Sequence, residues 1–296
     1  MNYAKNFDLQ WNIFKKTQLD SYTGNNKNAD NFFRSTKWTI DDLEGKSVLE
    51  AGCGPGKYTE VLLKAGANVT AFDLTTAVFV NEKQNSKKGN LTCFQGDIYD
   101  LPDKIGQFDF IFCYGVLQHC PDPDLAYFKL FDKLKPGGRI SIDFYTNPYI
   151  PSPWTTPKYF WRRWSTSIDP STLLSIIRIY IPFWLPFDTL IRVIPVVGPI
   201  ILGMLRIPCW NYLDVLMNGL KIKSFARAIF EWYSWAVMDT FDALGAKYDF
   251  PKSECEVREM IRLSGAHKIQ VHPGSNGIVA NAEKPYLVPP ELFLTH

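Results

Sequence analysis

The chain has 296 residues, 21% of them charged, with 32 Lys and Arg against 30 Asp and Glu and a formal charge of +2. That length admits one large domain or two small ones, and a charge so near balance gives no general electrostatic case for nucleic acid as a partner. The six cysteines (53, 93, 113, 120, 209 and 255) are scattered without paired C-x-x-C spacing, which points to reduced, mostly buried thiols in a cytoplasmic protein and to no metal site.

Residues 1–45 precede the first strand and read as a helical N-terminal lid. The opening MNYAKNFDLQWNIFKK has no long apolar core and no cleavage site, so it does not read as a signal peptide. Phe7, Trp11 and Phe14 share one face of a helix, expected to lie on a sheet or over its ligand crevice. Asp20 to Gly24 reads as a loop.

Ser47, Val48 and Leu49 read as a buried strand. Gly52, Gly54 and Gly56 follow at every second position, and then Tyr58, Val61 and Leu62 at helical spacing. This is strand, glycine-rich turn, helix. Glycine lets the chain turn sharply and lets a ligand approach the backbone, and the helix N-terminus offers unpaired N–H groups. A phosphate-binding P-loop fails on spacing, with Ala51 and Tyr58 where Gly and Ser or Thr belong. A dinucleotide fingerprint fails because Lys57 fills its third glycine position. What remains is E-x-G-x-G-x-G with Glu50 at the strand end.

Val69 to Asp73 is the second strand. An acid at its end, 23 residues after Glu50 as one strand–helix–strand unit requires, can accept hydrogen bonds from both hydroxyls of a ribose. The plainer reading of Asp73 is a turn or cap residue. Leu91 to Gln95 is the third strand, followed by Gly96-Asp97-Ile98. Phe108 to Tyr114 is the fourth, almost wholly apolar as a central parallel strand is, and Gly115-Val116-Leu117-Gln118-His119 follows it. Lys135-Pro136-Gly137-Gly138 is a turn, and Arg139 to Tyr145 is the fifth strand. Helices between these strands make a doubly wound α/β sheet.

The motifs EAGCGPG, AFD ending at Asp73, GDI at 96–98, FDFIFCYGVLQH and LKPGG occur in an order that resembles the class I S-adenosylmethionine (SAM)-dependent methyltransferases. The resemblance covers about 46–145. It extends to a C-terminal helix, Glu256 to Leu263, and an antiparallel pair, His267 to His272 and Gly277 to Ala282. It implies a seven-stranded Rossmann-like sheet with SAM across the carboxyl ends of the strands. By position, Gly52, Gly54 and Gly56 would lie against the methionine and ribose, Asp73 would hold the ribose, and Asp97 and Ile98 the adenine. Tyr114 would line the pocket. Glu50, Cys53 and Leu74 complete the expected cofactor set. Chemistry would occur near Gln118 and His119. An imidazole is suited to take a proton near neutral pH, so His119 is the candidate base. Its plainer reading is a cap or packing residue. Gln118 stands where the family subset with a helical insertion would be expected to carry His.

The segment 147–249 interrupts this fold as an aromatic-rich helical cap. It holds seven of the nine tryptophans and ten of the twenty prolines. The domain reading is thus 1–45, then 46–146 plus 250–285 for SAM binding, 147–249 for the cap, and a tail at 286–296. The stretch 175–208 is very apolar. Its longest charge-free run is Val193 to Leu205, too short and too rich in Pro and Gly for a membrane span. Short helices broken at Pro182, Pro186, Pro195 and Pro199 are expected. Three uses of the stretch stay open: a core or dimer interface, a hydrophobic acceptor pocket, or a monotopic membrane patch with Arg178, Arg192 and Arg206 at lipid headgroups. Asp239 and Asp242, three apart, would share a helix face and join His119 as candidate catalytic residues. D-T-F-D followed by Y-D-x-P looks like a subset of bacterial methyltransferases, of the methyltransferase-11/25 kind, with such an insertion. The resulting expectation is a methyltransferase acting on a small-molecule or lipid-linked acceptor, at oxygen, in the cytoplasm or peripheral to a membrane. The rivals are an NAD-dependent oxidoreductase on the same fold and a non-catalytic SAM-binding or membrane-surface interaction module.

Overall fold

The computed structural model describes residues 3–147, 157–205 and 207–286. Trp154, Arg206 and the tail beyond Tyr286 lie outside the described residues. In chain order the elements begin with α1 (Lys5–Ile13), α2 (Asp20–Thr23), α3 (Lys27–Thr36) and α4 (Ile40–Leu43). The alternating part follows: β1 (Ser47–Ala51), α5 (Lys57–Lys64), β2 (Asn68–Asp73), α6 (Ala77–Asn85), β3 (Leu91–Gln95), β4 (Phe108–Cys113), α7 (Pro123–Asp132) and β5 (Leu134–Phe144). Five helices come next: α8 (Pro157–Ser165), α9 (Pro170–Arg192), α10 (Val197–Leu205), α11 (Leu213–Ile222) and α12 (Phe225–Gly245). The chain closes with α13 (Glu254–Leu263), β6 (His267–Gly274) and β7 (Gly277–Glu283).

The chain forms two units. One holds residues 19–147 and 248–296, the other residues 1–18 and 148–247. The stretch 1–45 is therefore divided at residue 18.

The first unit is a single seven-stranded sheet in the order β3-β2-β1-β4-β5-β7-β6. β1 to β5 are parallel, and β7 joins β5 antiparallel with β6 outside it. Apolar residues on both faces explain why these strands read as nearly continuous hydrophobic runs. One face buries Leu49, Ile111, Ile140 and Ile142 under α7 and α13 residues such as Tyr127, Leu130 and Met260. The other buries Val48, Ala71, Phe110 and Phe112 with Phe32, Trp38, Val61 and Leu62. The Lys135–Gly138 turn is absorbed into β5, which meets β4 through a register shift between Phe108 and Phe110. Asp20 to Gly24 is a short helix rather than a loop, because the Asp20 carboxylate accepts the N–H groups of Asn28 and Ala29 and so ties α2 to the start of α3.

Among the described residues, the regular elements of the second unit are all helices. Its core gathers Leu173, Leu174, Ile177, Ile181 and Leu185 of α9 with Trp232, Val237, Met238 and Phe241 of α12. Phe14 is buried in this core, with Trp11 packed against it. The N-terminal helix thus packs on α9 and α12 within its own unit.

The largest departure from expectation is α9. It runs 23 residues without a break and carries Pro182 and Pro186 inside it. Proline removes the bond to the carbonyl four residues earlier. The carbonyl that Pro182 leaves free is that of Arg178, and the Tyr233 hydroxyl of α12 donates to it at 3.3 Å. A partner from another helix thus supplies what the chain lacks locally. By length and composition α9 could cross a membrane.

Candidate active site at the carboxyl ends of the strands

The turn after β1 is held by backbone geometry and by neighbours. The N–H groups of Gly52 and Cys53 both donate to the Phe72 carbonyl, at 2.8 and 3.0 Å. Gly56 opens α5 at φ 94° and lies against α6, where a Cβ would come within 2.1 Å of Asn81 Oδ1 and 2.4 Å of Asn85 Nδ2. Only glycine fits there. A Cβ on Gly52 would meet Val116 at 2.2 Å. The last glycine of the motif is therefore fixed by protein packing as well as by any ligand.

Beneath the turn Glu50 is buried and accepts the hydroxyl of Thr59, which in turn accepts from Asn81 Nδ2 at 2.7 Å. Burial pushes the Glu50 carboxyl up to about 8, so it is neutral at pH 7. Cys53 is buried too, and burial raises its thiol well above the ordinary range. It is no nucleophile.

Asp73 closes the same corner. Its Oδ2 accepts from the Gly54 N–H at 2.8 Å, and its Oδ1 from Thr75 N–H and Oγ1 at 2.8 and 2.7 Å. These bonds fix the direction in which the Asp73 carboxylate points. The cap role and a ligand role coexist in one side chain. Leu74 is half-buried, and its carbonyl accepts from Gln95 Nε2 at 2.9 Å. Asp97 accepts the Tyr99 N–H at 3.0 Å, and Ile98 is 6% exposed within the core.

At β4 and β5 the expected Tyr114 is joined by Ser141 and Asp143, which the sequence reading did not single out. Tyr114 stacks on Phe112 at 4.3 Å, and its hydroxyl meets Ser141 Oγ at 2.8 Å. Burial lifts that phenol well above its ordinary value. Asp143, at the end of β5, is 2% exposed; it accepts the Gly115 N–H at 2.6 Å and Asn276 Nδ2 at 3.1 Å. Burial raises its carboxyl to about 6. No motif marks Asp143; it reaches Gly115 because the register pairs Cys113 of β4 with Ile142 of β5.

His119 lies in one 3-10 turn, Leu117–His119, and is 6% exposed. Its Nδ1 is 2.9 Å from the Tyr248 carbonyl, and its Nε2 is 3.4 Å from Tyr145 Oη. A carbonyl only accepts, so Nδ1 carries a proton, and in the neutral imidazole Nε2 is the acceptor nitrogen that faces the tyrosine. The segment that supplies Tyr248 is stitched in place by the Phe250 N–H on the Gln118 carbonyl, at 2.8 Å, and by the Lys252 N–H on the Tyr145 carbonyl, at 3.0 Å. The Y-D-x-P motif pointed to this segment but not to its backbone. Gln118 itself is fully buried, and neither its Oε1 nor its Nε2 finds a hydrogen-bond partner among the described residues.

The two carboxylates grouped with His119 in sequence lie in the helical unit, on α12. Asp239 accepts from the Tyr212 hydroxyl, whose own titration is pushed far up by burial and by Asp239. Asp242 is half-buried. No group of His, Cys, Asp and Glu suited to hold a metal occurs among the described residues.

Residues 49–142 match a family model described as a methyltransferase domain. An uncharacterised protein of Synechococcus is 40% identical over 104 residues, 33% of this chain and 25% of that protein. The ubiquinone biosynthesis O-methyltransferase of Coxiella burnetii is 36% identical over 100 residues, 33% of this chain and 43% of that enzyme. The malonyl-[acyl-carrier protein] O-methyltransferase of Erwinia billingiae is 37% identical over 98 residues, 33% of this chain and 38% of that enzyme. The chain thus spans from a quarter to less than half of the length of these curated relatives. The match falls on β1 to β5, with the glycine turn, Asp73 and the loop after β4 inside it. Over residues 49–142, about a third of its length, the chain is similar to methyltransferase domains.

Proposed function

We propose that this chain is a SAM-dependent methyltransferase that methylates an oxygen of a small-molecule or lipid-linked acceptor. The observation that carries the reading is the coincidence of the family match with one constellation. The glycine turn, Asp73 and Asp97 stand at the ends of β1 to β3, and Gly115, His119 and Asp143 stand at the ends of β4 and β5. The oxygen acceptor follows the two O-methyltransferases among the relatives.

The residues fit SAM. Asp73 is pre-aimed by Gly54 and Thr75 at the end of β2, where an acid can accept from ribose hydroxyls, and nothing lies within 4 Å of where a Cβ on Gly115 would be. Gly52, Gly54 and Gly56 would flank the methionine and ribose. Asp97 would take the adenine amino group, with Ile98, Leu74 and Tyr114 around the rings. SAM when bound supplies an electrophilic methyl. The protein's part is alignment and exclusion of water.

An oxygen acceptor must also lose its proton. His119 Nε2 is the acceptor nitrogen, held by the Tyr248 carbonyl on the far side of the ring. We assign proton removal to His119, directly or through Tyr145 Oη. Gln118 is the second acceptor contact. A buried amide without partners costs about 1–3 kcal/mol, which a hydroxyl or carboxyl bonded to it offsets. Asp239 and Asp242 are assigned no proton transfer, since Asp239 already accepts from Tyr212 within the helical unit. An acceptor carried on a lipid would be met at a membrane surface, and the exposed apolar face of α9 fits such a place.

The test is untargeted. Purified protein is incubated with methyl-labelled SAM and a bacterial cell extract, and the extract is then partitioned. Label in a small or lipid-soluble product, lost with His119→Ala while SAM still binds, supports the reading. Label confined to nucleic acid contradicts the acceptor class. Bound SAM with no labelled product at all makes the chain a binding module.

A further inference from the structure

The helical unit carries a surface that its core does not use. One face of α9 closes the core through Leu173, Leu174, Ile177, Ile181 and Leu185. Another face presents Ile176, Ile179, Phe183, Phe187 and Leu190 at steps of three and four, all exposed, Phe183 by 81% and Ile179 by 69%. A helix that is apolar on both faces has two things to bury. The exposed stripe runs on through Val196 into α10, which packs back on α9 and leaves Ile200 and Met204 exposed. An apolar surface of this extent on a water-facing protein marks an interaction site.

Two features say what covers it. From Val193 to Leu205 no side chain carries an N–H, an O–H or a charge. A protein partner would be met with about one hydrogen bond per 100–200 Å² of interface; acyl chains make none. The charge is one-sided as well. Between Pro170 and Tyr212 the chain has a single acid, Asp188, which is 2% exposed and bound to Arg192 with Nε 2.6 Å from Oδ2. The exposed charge at Arg178 and Arg192 is therefore positive. On α8 the exposed Trp161 and Trp164 stand beside Arg163, the pairing of aromatic and basic side chains that anchors helices at a membrane interface.

We propose that the α9–α10 face docks on the surface of an anionic lipid bilayer, with its apolar side chains entering the boundary between headgroups and acyl chains and Arg178 and Arg192 meeting lipid phosphates. α9 lies on the membrane and does not cross it. Crossing would strip its other face from the core and carry Asp188, with its bonds from Arg192 and Asn211, into hydrocarbon. This surface is argued without reference to the methyltransferase reading, and either can fail alone.

The experiment is vesicle flotation of the full chain, with S-adenosylhomocysteine binding measured on the same samples. Vesicles are phosphatidylcholine alone or mixed with phosphatidylglycerol. The mixed vesicles should bind at least about tenfold more tightly, and the preference should shrink with salt. Phe183→Glu with Leu190→Glu should weaken binding to mixed vesicles at least about tenfold, with the helical circular dichroism unchanged. Arg178→Gln should weaken it about fivefold and leave neutral vesicles unaffected. Quenching of tryptophan fluorescence by brominated lipid reads the same contact in the unaltered chain. Three results overturn the proposal: no binding of the unaltered chain to either vesicle, equal binding by the folded double variant, or a dimer in light scattering that Phe183→Glu splits while vesicles stay unbound.

Discussion

The helices α5 and α9 treat the same kind of residue in opposite ways. In α5 every position from Tyr58 to Leu63 is buried, the apolar ones against the sheet and Thr59 on Glu50. In α9 the buried face is matched by an apolar face left in solvent. Both units have a packed core, so the difference is not one of stability. It separates apolar residues that hold a fold from apolar residues that await something else, and composition alone cannot tell the two apart.

The sharpest way to break that comparison uses one residue type on one helix. Ile181→Ala should cost about 2–5 kcal/mol in urea unfolding, because it empties a fully buried site. Ile179→Ala, two positions away and 69% exposed, should fall within about 0.5 kcal/mol of the parent. Equal costs would mean that the two faces of α9 do not differ in the way described.

Gly56→Ala tests the other helix. A methyl at φ 94° aimed at Asn81 and Asn85 should cost about 2–4 kcal/mol, read as a lower urea midpoint with unchanged slope. An unaltered midpoint would mean that α6 yields easily, and that the turn is not fixed by packing.

Glu50 sharpens the same corner through pH. Its folded value, about 8, lies above the ordinary carboxylate range because of burial. Between the unfolded and folded values the native state holds a proton that the unfolded chain has released, so stability falls as pH rises through that window and levels off above about 8. Glu50→Gln, which keeps the neutral shape, should flatten that decline in a series of urea midpoints from acid to mildly alkaline pH. A decline as steep as the parent's would assign it to other groups, of which Asp143 is the first to examine.

The smallest effect concerns the unbroken helix. Tyr233→Phe deletes the hydroxyl that donates to the Arg178 carbonyl and should cost about 0.5–1.5 kcal/mol. Paired with Pro182→Ala, which restores a backbone donor to that carbonyl, most of the loss should vanish. Two independent losses would remove the compensation from the account.

These contrasts also explain what the chain revealed before its structure. The five parallel strands, the glycine turn and the closing antiparallel pair were legible because each rests on neighbours in sequence. A strand needs its own apolar run, and the turn needs its own glycines. The continuity of α9 was not legible, since the group that completes it, Tyr233, lies 55 residues beyond Arg178. The packing of Phe14 was hidden for the same reason; its spacing gives a helix face but not the cluster that receives it. Asp143 and Tyr145 went unmarked because a strand end has no signature. Only register brings Asp143 to Gly115, and only the return of Tyr248 to the loop after β4 fixes which nitrogen of His119 points at Tyr145. Trp232, conspicuous in sequence among so many aromatics, is 7% exposed and donates its indole N–H to Asn211 at 3.0 Å, a structural duty.

The central claim is that the carboxyl ends of β1 to β5 bind SAM with Asp73 as an acceptor for its ribose. Isothermal titration with S-adenosylhomocysteine tests it most directly, comparing the parent chain with Asp73→Asn. The account predicts saturable one-to-one binding by the parent and a loss of at least about tenfold in the variant, as expected when a charged acceptor becomes a neutral amide. A folded parent chain that gives no saturable heat, or a variant that binds as tightly as the parent, would contradict it.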